Sequence, residues 1–367
     1  TNGSVQGLPR GYTTTPFTTN YFDTAYPIKG QATGALQSGY RRTWIGNPDL
    51  KWETTKQTDF GVDFGFFNQR LTGSFDYYYK KTNDILVQTP YIAAMGEGGE
   101  PWVNGASMNN QGVEFTVSFK SDPSSEFQWA VSANIGTYKT ELTDLPSNVI
   151  NKYAGDGVHD LILGRSPNSA YGLVADGIFK TQEEVDAHAD QPGKAVGRIR
   201  YKDLDGDGVI NADDQGMISE YGGNPRIQYG FGLNINYKKF DLGVFFNGSA
   251  MRKIMLTGIH PFGESDYNIF KFVAKDYWTE ANPNPNAAYP RLGLQKANSD
   301  NNVVPSTFWM RNGNFLRFKT LEIGYRFCRY GRIYVTGDNL AVFSPFKEWD
   351  PELEWYKYPL QRTFNIG

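Results

Sequence analysis

The most regular feature of the chain is a two-residue alternation of apolar positions with polar or glycine positions. Between residues 59 and 67, Phe60, Val62 and Phe64 alternate with aspartate and glycine. Successive side chains of a β-strand point to opposite faces of a sheet, so this pattern predicts a strand with one apolar and one polar face. The same alternation recurs at 71–80, 113–120, 127–137, 229–237 and 240–248, and more weakly at 314–327, 332–340 and 358–367.

These segments have the length of membrane-crossing strands. About nine strands of roughly ten residues are predicted, and a tilted strand of that length crosses a bilayer. Short turns are predicted at 68–69, 121–125, 238–239 and 328–331, and long connections at 81–109, 139–228, 251–313 and 341–357. Outer-membrane barrels combine short periplasmic turns with long outer loops. The sequence therefore predicts an all-β fold, part of a transmembrane antiparallel β-barrel with long extracellular loops.

The strand prediction also fixes which side chains meet lipid. Neighbouring strands are expected to pair as antiparallel hairpins, with their apolar residues on the outside of the wall. A secreted soluble all-β protein would instead bury the same residues against a second sheet. The residues predicted to face outward are Phe60, Phe64, Phe115, Val131, Leu233 and Val244.

Composition agrees with a barrel and excludes other classes. The formal net charge is −3, which gives no basic field for nucleic acid. No run of about 18 apolar residues exists, so no spanning helix is predicted. The 25 Phe, 23 Tyr and 8 Trp suit the aromatic belts of a barrel wall. The single cysteine, Cys328, excludes an internal disulfide between residues of this sequence.

The segment 203–214 has the spacing of a calcium-binding loop. Aspartate occupies the first, third, fifth and twelfth positions and glycine the sixth. Clustered carboxylates repel one another unless a cation compensates, and Ca²⁺ prefers oxygen ligands. The twelfth residue is Asp rather than the longer Glu, which predicts a lower affinity, and a turn that binds no ion is the alternative. The predicted Ca²⁺ ligands are Asp203, Asp205, Asp207, the Val209 carbonyl, Asn211 and Asp214.

Other side chains give weaker indications of chemistry. Trp102, Trp278, Trp309 and Trp349 lie in or beside the long connections, where indole rings can stack on a sugar or a peptide side chain. An interfacial belt or packing within the loops is the favoured alternative for these residues. The histidines, His159, His188 and His260, are too far apart for a zinc-binding motif, and no Gly-x-Ser-x-Gly sequence occurs. The sequence therefore predicts no catalytic residues and no enzyme.

Several segments in order resemble one family, the SusC/RagA-type TonB-dependent transporters. They begin with Asn47-Pro48-Asp49-Leu50-Lys51-Trp52-Glu53 before the first strong strand. Each match is short, but together they cover residues 47 to 367. The others are 223–226 (GNPR), 229–232 (YGFG), 237–242 (YKKFDL), 286–292 (NAAYPRL), 315–325 (FLRFKTLEIGY), 338–340 (DNL), 349–352 (WDPE) and 358–364 (YPLQRTF).

The resemblance implies a barrel of about 22 strands that holds an amino-terminal plug. It implies import of oligosaccharides or peptides across the bacterial outer membrane, driven by TonB, with a SusD-like lipoprotein over the outer mouth. We expect 1–58 to form an outer loop or partial barrel segment, 59–367 to form carboxy-terminal strands and loops, and the plug to lie outside this sequence. The alternatives are a secreted carbohydrate-binding protein or enzyme and a passive porin.

Overall fold

The computed structural model describes residues 17–20, 39–42, 46–89, 101–150, 162–256, 269–284, 286–292, 302–353 and 357–367. His159 and His260 lie outside the described residues, as does most of 1–45. Within the described ranges, no helix is long and apolar enough to cross a membrane. The described helices are short: α1 (Ser147–Ile150), α2 (Gln182–Ala187) and α3 (Lys271–Lys275).

The strands fall into one long-stranded set and several short pairs. The long-stranded set is β3 (Thr54–Phe66), β4 (Leu71–Gln88), β5 (Trp102–Lys120), β6 (Phe127–Asp144), β11 (Ile227–Tyr237), β12 (Phe240–Ala250), β15 (Phe315–Cys328), β16 (Gly331–Phe343) and β17 (Thr363–Ile366). The short strands are β1 (Phe17–Asn20), β2 (Gly39–Arg42), β7 (Ala170–Gly172), β8 (Ala175–Ile178), β9 (Ile199–Tyr201), β10 (Gly216–Ser219), β13 (Lys253–Met255) and β14 (Met310–Asn312).

The long-stranded set forms a single antiparallel sheet. Among the described residues this sheet has nine strands, in the order β17-β16-β15-β12-β11-β6-β5-β4-β3. Strands that neighbour one another in this order are consecutive along the chain once the short pairs are left out, so the sheet is a succession of hairpins. This is the up-and-down topology that the alternation predicts, and it confirms the predicted number of strands.

The register places the alternating residues on two consistent faces. Phe231 pairs with Ala133 on one side and Phe246 on the other, and Leu233 pairs with Val131 and Val244. Phe115 pairs with Phe75, and Phe60 and Phe64 occupy alternate positions opposite Tyr77 and Gly73. All six residues predicted to face outward therefore share one face, hereafter the apolar face.

The apolar face is not covered by a second sheet in the described part of the chain. Phe60 is 61% exposed, Ile323 is 50% exposed and Val335 is 46% exposed. A soluble sandwich would bury these side chains, because burying a large apolar side chain contributes about 1.5–3 kcal/mol. The sheet therefore has the surface expected of a barrel wall in lipid and not that of a closed soluble core.

Two hairpins extend further than the sequence predicts. The connection placed at 81–109 is shorter, because β4 continues to Gln88 and β5 begins at Trp102. The connection predicted at 139–228 is also shorter, because β6 continues to Asp144. These extensions carry some apolar residues, and Ala106 and Leu142 are buried in a small cluster with Ile85 packed against it, but no regular alternation of apolar with polar residues marks them. The register also bulges between Thr82 and Ile85, which breaks the period of two.

The long connections that follow β6 pack against one another. Ten buried residues form one cluster, hereafter the loop core, in which Val273 and Ile199 are fully buried. Helix α2 lies in the first of these connections, and the Thr181 side chain caps it by accepting a hydrogen bond from the Glu184 N–H at 3.3 Å. The loop core consists of Leu173, Ile199, Tyr201, Ile210, Ile254, Leu256, Val273, Tyr289, Trp309 and Phe346.

Candidate functional site

The face of the sheet opposite the apolar face is polar and carries charges. Asp76 and Glu114 are cross-strand neighbours on it, and Asn134 and Asn234 lie on it further along the sheet. Phe245 is an aromatic exception on this face. Its ring lies beside Gly230, and a Cβ added to that glycine would come within 3.2 Å of the ring. In a closed barrel this face lines the lumen, and it is hereafter the lumen face.

An ion-pair network spans three strands of the lumen face near the short turns. The Arg332 guanidinium on β16 donates to Asp241 on β12, with Nε 3.1 Å from Oδ1. The same guanidinium donates to Glu322 on β15, which lies between the other two strands. A planar guanidinium suits two carboxylates at once, so the network fixes the relative position of the three strands.

A second arginine clamps a loop to the outer end of the wall. Arg317 on β15 is 2% exposed, and its Nη2 donates to both oxygens of Asp350, at 2.6 and 2.7 Å. Its Nε donates to Glu352, while Arg252 donates to the carbonyl of Pro351. Arg317 pairs with Asn247 in the register, which places it on the lumen face. The segment 349–352 is therefore held over the lumen side at the outer end of the sheet.

The calcium-type loop follows β9 and is folded by its own carboxylates. Asp203 accepts hydrogen bonds from the N–H groups of Gly206 at 2.7 Å and Gly208 at 2.9 Å. Both glycines have positive φ, +79° and +85°, a conformation that glycine adopts without strain. Asp214 is fully buried and accepts from the Leu204 N–H at 2.6 Å and the Asn211 N–H at 2.9 Å.

Three of the six predicted ligands converge. Carboxylate oxygens of Asp203, Asp205 and Asp214 lie within 4.8 Å of one another. Asp207 instead accepts from the Val209 N–H at 2.7 Å, and Asn211 accepts from the Asp213 N–H at 2.6 Å. Each carboxylate oxygen has lone pairs beyond those used by the backbone, so the donor set suits a hard cation such as Ca²⁺.

The protonation of the loop reflects the crowding of charge. The N–H groups of Gly208 and Gly206 stabilise the Asp203 carboxylate and lower its pKa. For Asp205 the Asp207 N–H also acts to lower the pKa, but desolvation and the charges of Asp207 and Asp214 outweigh it, and the pKa is raised. A bound cation would relieve this repulsion.

The loop is joined to the loop core rather than extended into solvent. The Asp190 N–H donates to the Gly208 carbonyl at 2.8 Å, and the Ile210 N–H donates to the Asp190 carbonyl at 3.0 Å. Ile210 belongs to the loop core. An ion bound at this loop would therefore act on the packing of the long connections.

The predicted ligand-contacting tryptophans are mostly packing residues. Trp278 is 2% exposed and Trp309 is 4% exposed, so their rings do not offer a stacking face, and the ligand role predicted for these two residues is not supported. The indole N–H of Trp309 donates to the Asn302 carbonyl at 2.7 Å. Trp349 is half-buried, edge-on to Phe346 at 4.7 Å between ring centroids. Loop packing, the favoured alternative in the sequence, accounts for the buried rings of Trp278 and Trp309, whereas Trp102 is half-buried at the start of β5.

Sequence reasoning did not identify the two arginine networks. Arg317 lies 33 residues from Asp350, and Arg332 lies 91 residues from Asp241. Contacts over such separations carry no local periodicity. The available signal was the presence of charges at lumen-face positions of the strands, such as Arg317 and Glu322 on β15, because a charge that is shielded from water requires a partner.

A hairpin sheet with one uncovered apolar face, one charged face and long connections packed at one end defines a wall segment of an outer-membrane β-barrel. The chain belongs to the family of TonB-dependent receptor-like β-barrels, whose model matches residues 9–340. Proteins of this family lie in the outer membrane, which this chain crosses with strands.

Individual relatives agree with the family. The chain is 29% identical to TonB-dependent receptor P26 of Formosa agariphila, over 91% of this chain and 36% of the relative. It is 27% identical to TonB-dependent receptor SusC of Bacteroides thetaiotaomicron, over 88% of this chain and 32% of that protein. The structure of the RagAB peptide transporter is similar in fold, with a TM-score of 0.68 at 24% identity, over 97% of this chain and 38% of that chain. The chain thus spans about a third of the length of the curated relatives it matches.

Proposed function

We propose that the intact protein imports oligosaccharides or peptides across the outer membrane in a TonB-dependent step, together with a SusD-like surface lipoprotein. The observation that carries the proposal is the wall itself, with its apolar and charged faces, in a family of TonB-dependent receptors. A relative named TonB-dependent receptor SusC supports the TonB-dependent step, and a fold neighbour described as a peptide transporter supports import as the activity.

A physical argument supports energy-driven transport. A barrel of about 22 strands encloses a lumen wide enough to require a plug. A plug blocks passive flow, and the outer membrane has no nucleotide supply with which to displace it. The energy would therefore come from a partner in the inner membrane, the role proposed for TonB. Within this proposal, 1–58 belongs to an outer loop or partial barrel segment.

The long connections provide the surface for a lid. Their packing around the loop core gives a defined surface instead of a set of separate loops. Interfaces between proteins are enriched in aromatic residues and arginine, both of which occur in these connections. Half-buried Trp102 and Trp349 remain candidates for contacts with the cargo or the lipoprotein.

Uptake and co-purification test the proposal. The intact protein, isolated in detergent from native membranes, is expected to retain a large surface lipoprotein. Cells are expected to lose uptake of the cargo when TonB coupling is removed. Uptake that persists without TonB coupling would favour the passive porin, and hydrolysis of a glycan by the purified protein would favour the enzyme alternative.

We also propose that the 203–214 loop binds Ca²⁺. Converging Asp203, Asp205 and Asp214 supply the first oxygens, and rotation of Asp207 and Asn211 together with the Val209 carbonyl would complete the shell. Ca²⁺ commonly takes six to eight oxygen ligands at about 2.3–2.6 Å. The ion would hold the loop in a single conformation against the loop core.

Calorimetric titration of the intact protein with Ca²⁺ measures this binding. The wild-type protein is expected to bind one ion at this loop, and Asp205→Asn is expected to weaken binding at least tenfold. Asp186→Asn provides a control, because Asp186 lies in the neighbouring helix α2 outside the loop. Equal binding by all three proteins would contradict the proposed site.

A further inference from the structure

The short-turn end of the sheet carries an excess of positive charge. The register brings four turn segments, 67–70, 120–126, 238–239 and 326–331, to this end, hereafter the turn rim. The rim contains six cations and two carboxylates, a net charge of +4 (six minus two), in a chain whose net charge is −3. The cations are Arg70, Lys120, Lys238, Lys239, Arg326 and Arg329, and the carboxylates are Asp122 and Glu126.

The rim is continuous across adjacent strands. The Lys120 N–H donates to the Arg70 carbonyl at 2.8 Å, and the Arg326 N–H donates to the Lys239 carbonyl at 2.8 Å. Within the described residues, the ion pair between Lys238 and Glu126 is long, 3.7 Å, and the Lys238 side chain is 57% exposed. Asp122 lies near Arg70 and Asp241 lies near Arg326, so described carboxylates offset part of the positive charge of the rim and a net positive charge remains.

Two of these cations lie beside rings of the apolar face. The Arg70 guanidinium lies over the ring of Phe119, 5.7 Å from its centroid, and the Lys238 ammonium lies over Tyr237 at 5.2 Å. Phe119 pairs with Leu71 and Val131, and Tyr237 pairs with Phe127 and Phe240, so both rings belong to the apolar face. These cations thus border the lipid side of the wall.

Exposed aromatic residues extend this border. Phe67 is 69% exposed, Phe240 is 58% exposed and Tyr330 is 90% exposed at the same end. Aromatic rings favour the membrane–water interface, and lysine and arginine extend their charged groups towards lipid headgroups from that depth. The rim therefore combines the two side-chain classes that bind an anionic lipid surface.

We propose that the turn rim binds the headgroups of anionic phospholipids in the periplasmic leaflet, with Arg70 and Lys238 as the contacts nearest the phosphates. The inference rests on the proposed function in one respect, which is that the short turns lie on the periplasmic side of the membrane. Charge complementarity and continuity with the apolar face select lipid as the occupant. Each such cation raises the affinity for an anionic lipid surface about fivefold, and this preference weakens with added salt.

Lipid binding by the purified intact protein tests the inference independently of transport. Delipidated protein is titrated with phosphatidylglycerol or phosphatidylethanolamine, and bound lipid is counted by native mass spectrometry. The double variant Arg70→Gln/Lys238→Gln is expected to lose about 25-fold in its preference for phosphatidylglycerol. The control Lys180→Gln/Lys202→Gln removes two exposed lysines from the long connection after β6, away from the turn rim, and is expected to retain the preference.

The outcomes separate the rim from the proposed transport activity. Wild-type protein that binds both lipids equally, or a control variant that loses as much preference as the rim variant, would overturn the lipid site. Neither result bears on uptake, and loss of TonB-dependent uptake would leave the lipid measurement unchanged. Heat-modifiable gel mobility verifies that both variants fold.

Discussion

Replacing Arg317 with methionine should release the segment that Arg317 clamps to the outer end of the wall. The Arg317 side chain is 3% exposed, whereas Asp350 is 15% exposed and Glu352 is 28% exposed. Removing one partner of a buried ion pair costs about 3–5 kcal/mol, because the remaining charges lose their compensation. Both carboxylates lie close enough to solvent to regain some water, so we expect the lower value, about 3 kcal/mol.

Hydrogen exchange across 344–353 measures this release in the intact protein. A local opening free energy lower by about 3 kcal/mol raises the exchange rate roughly 150-fold. The backbone N–H of Glu352, which donates to Asp350 at 3.0 Å, should respond most directly. The nine-stranded sheet should keep its protection, because the segment contacts the sheet only at its outer end.

Arg200→Met is the matched control for Arg317→Met. Arg200 also contacts two carboxylates, Asp176 at 3.1 Å and Glu184 at 3.4 Å, but its side chain is 25% exposed. An exposed ion pair contributes at most about 1 kcal/mol, so we expect an increase in local exchange of about fivefold or less. Similar changes in exchange for the two variants would refute the conclusion that burial makes Arg317 a clamp.

Three further predictions test the wall, the packing of the long connections and the calcium-type loop. Leu233→Arg should destabilise the folded barrel in vesicles by about 2–4 kcal/mol in denaturant titrations, whereas Asn234→Arg should be tolerated because its side chain faces the lumen. An equal loss of unfolding free energy in the two variants would contradict the assigned faces. Gly197→Ala should destabilise the packing around Trp278, which is buried with Ile178 and Ala287, by about 2–4 kcal/mol in proteolysis assays, because φ is +84° and a Cβ would overlap the Trp278 ring. Gly164→Ala, at φ +77° with open space, should show only the backbone strain of about 1 kcal/mol. Ca²⁺ affinity should be constant between about pH 7 and 8 and should weaken as the pH falls towards the raised pKa of Asp205, because protons compete with the ion. The weakening should begin at a higher pH than it would for an ordinary aspartate. Affinity that does not change with falling pH would exclude this carboxylate as a ligand.

Alternation along the strands predicts the wall because it is a local property. Leu233 and Asn234 are adjacent in sequence and lie on opposite faces for a purely geometric reason, the period of two. The hairpin order follows equally well from the short turns, such as Lys238-Lys239 between β11 and β12. The extensions of β4 and β5 could not be predicted in this way, because the bulge between Thr82 and Ile85 interrupts the period of two. Their apolar residues pack against the connection after β6, which is a contact between distant residues.

The candidate sites depend more on contacts between distant residues. The calcium-type spacing predicts that Asp203 and Asp205 converge, since the loop is short enough to specify its own fold. Burial of Trp278 could not be predicted, because it depends on packing against Ile178 from a different connection as well as against Ala287 from its own. The pairing of Arg317 with Asp350 is likewise a property of the folded chain, since no local pattern relates a strand residue to a distant loop.

The central claim is that this wall separates lipid from a lumen, which under the proposed function opens only when transport is energised. The most direct measurement is the labelling of Leu233→Cys and Asn234→Cys, each in a Cys328→Ser background, by a hydrophilic thiol reagent in cells supplied with cargo. We expect Asn234→Cys to react when TonB coupling is present and to be protected without it, and Leu233→Cys to remain unlabelled in both cases. Labelling of Asn234→Cys that is independent of TonB coupling, or labelling of Leu233→Cys at a comparable rate, would contradict the claim.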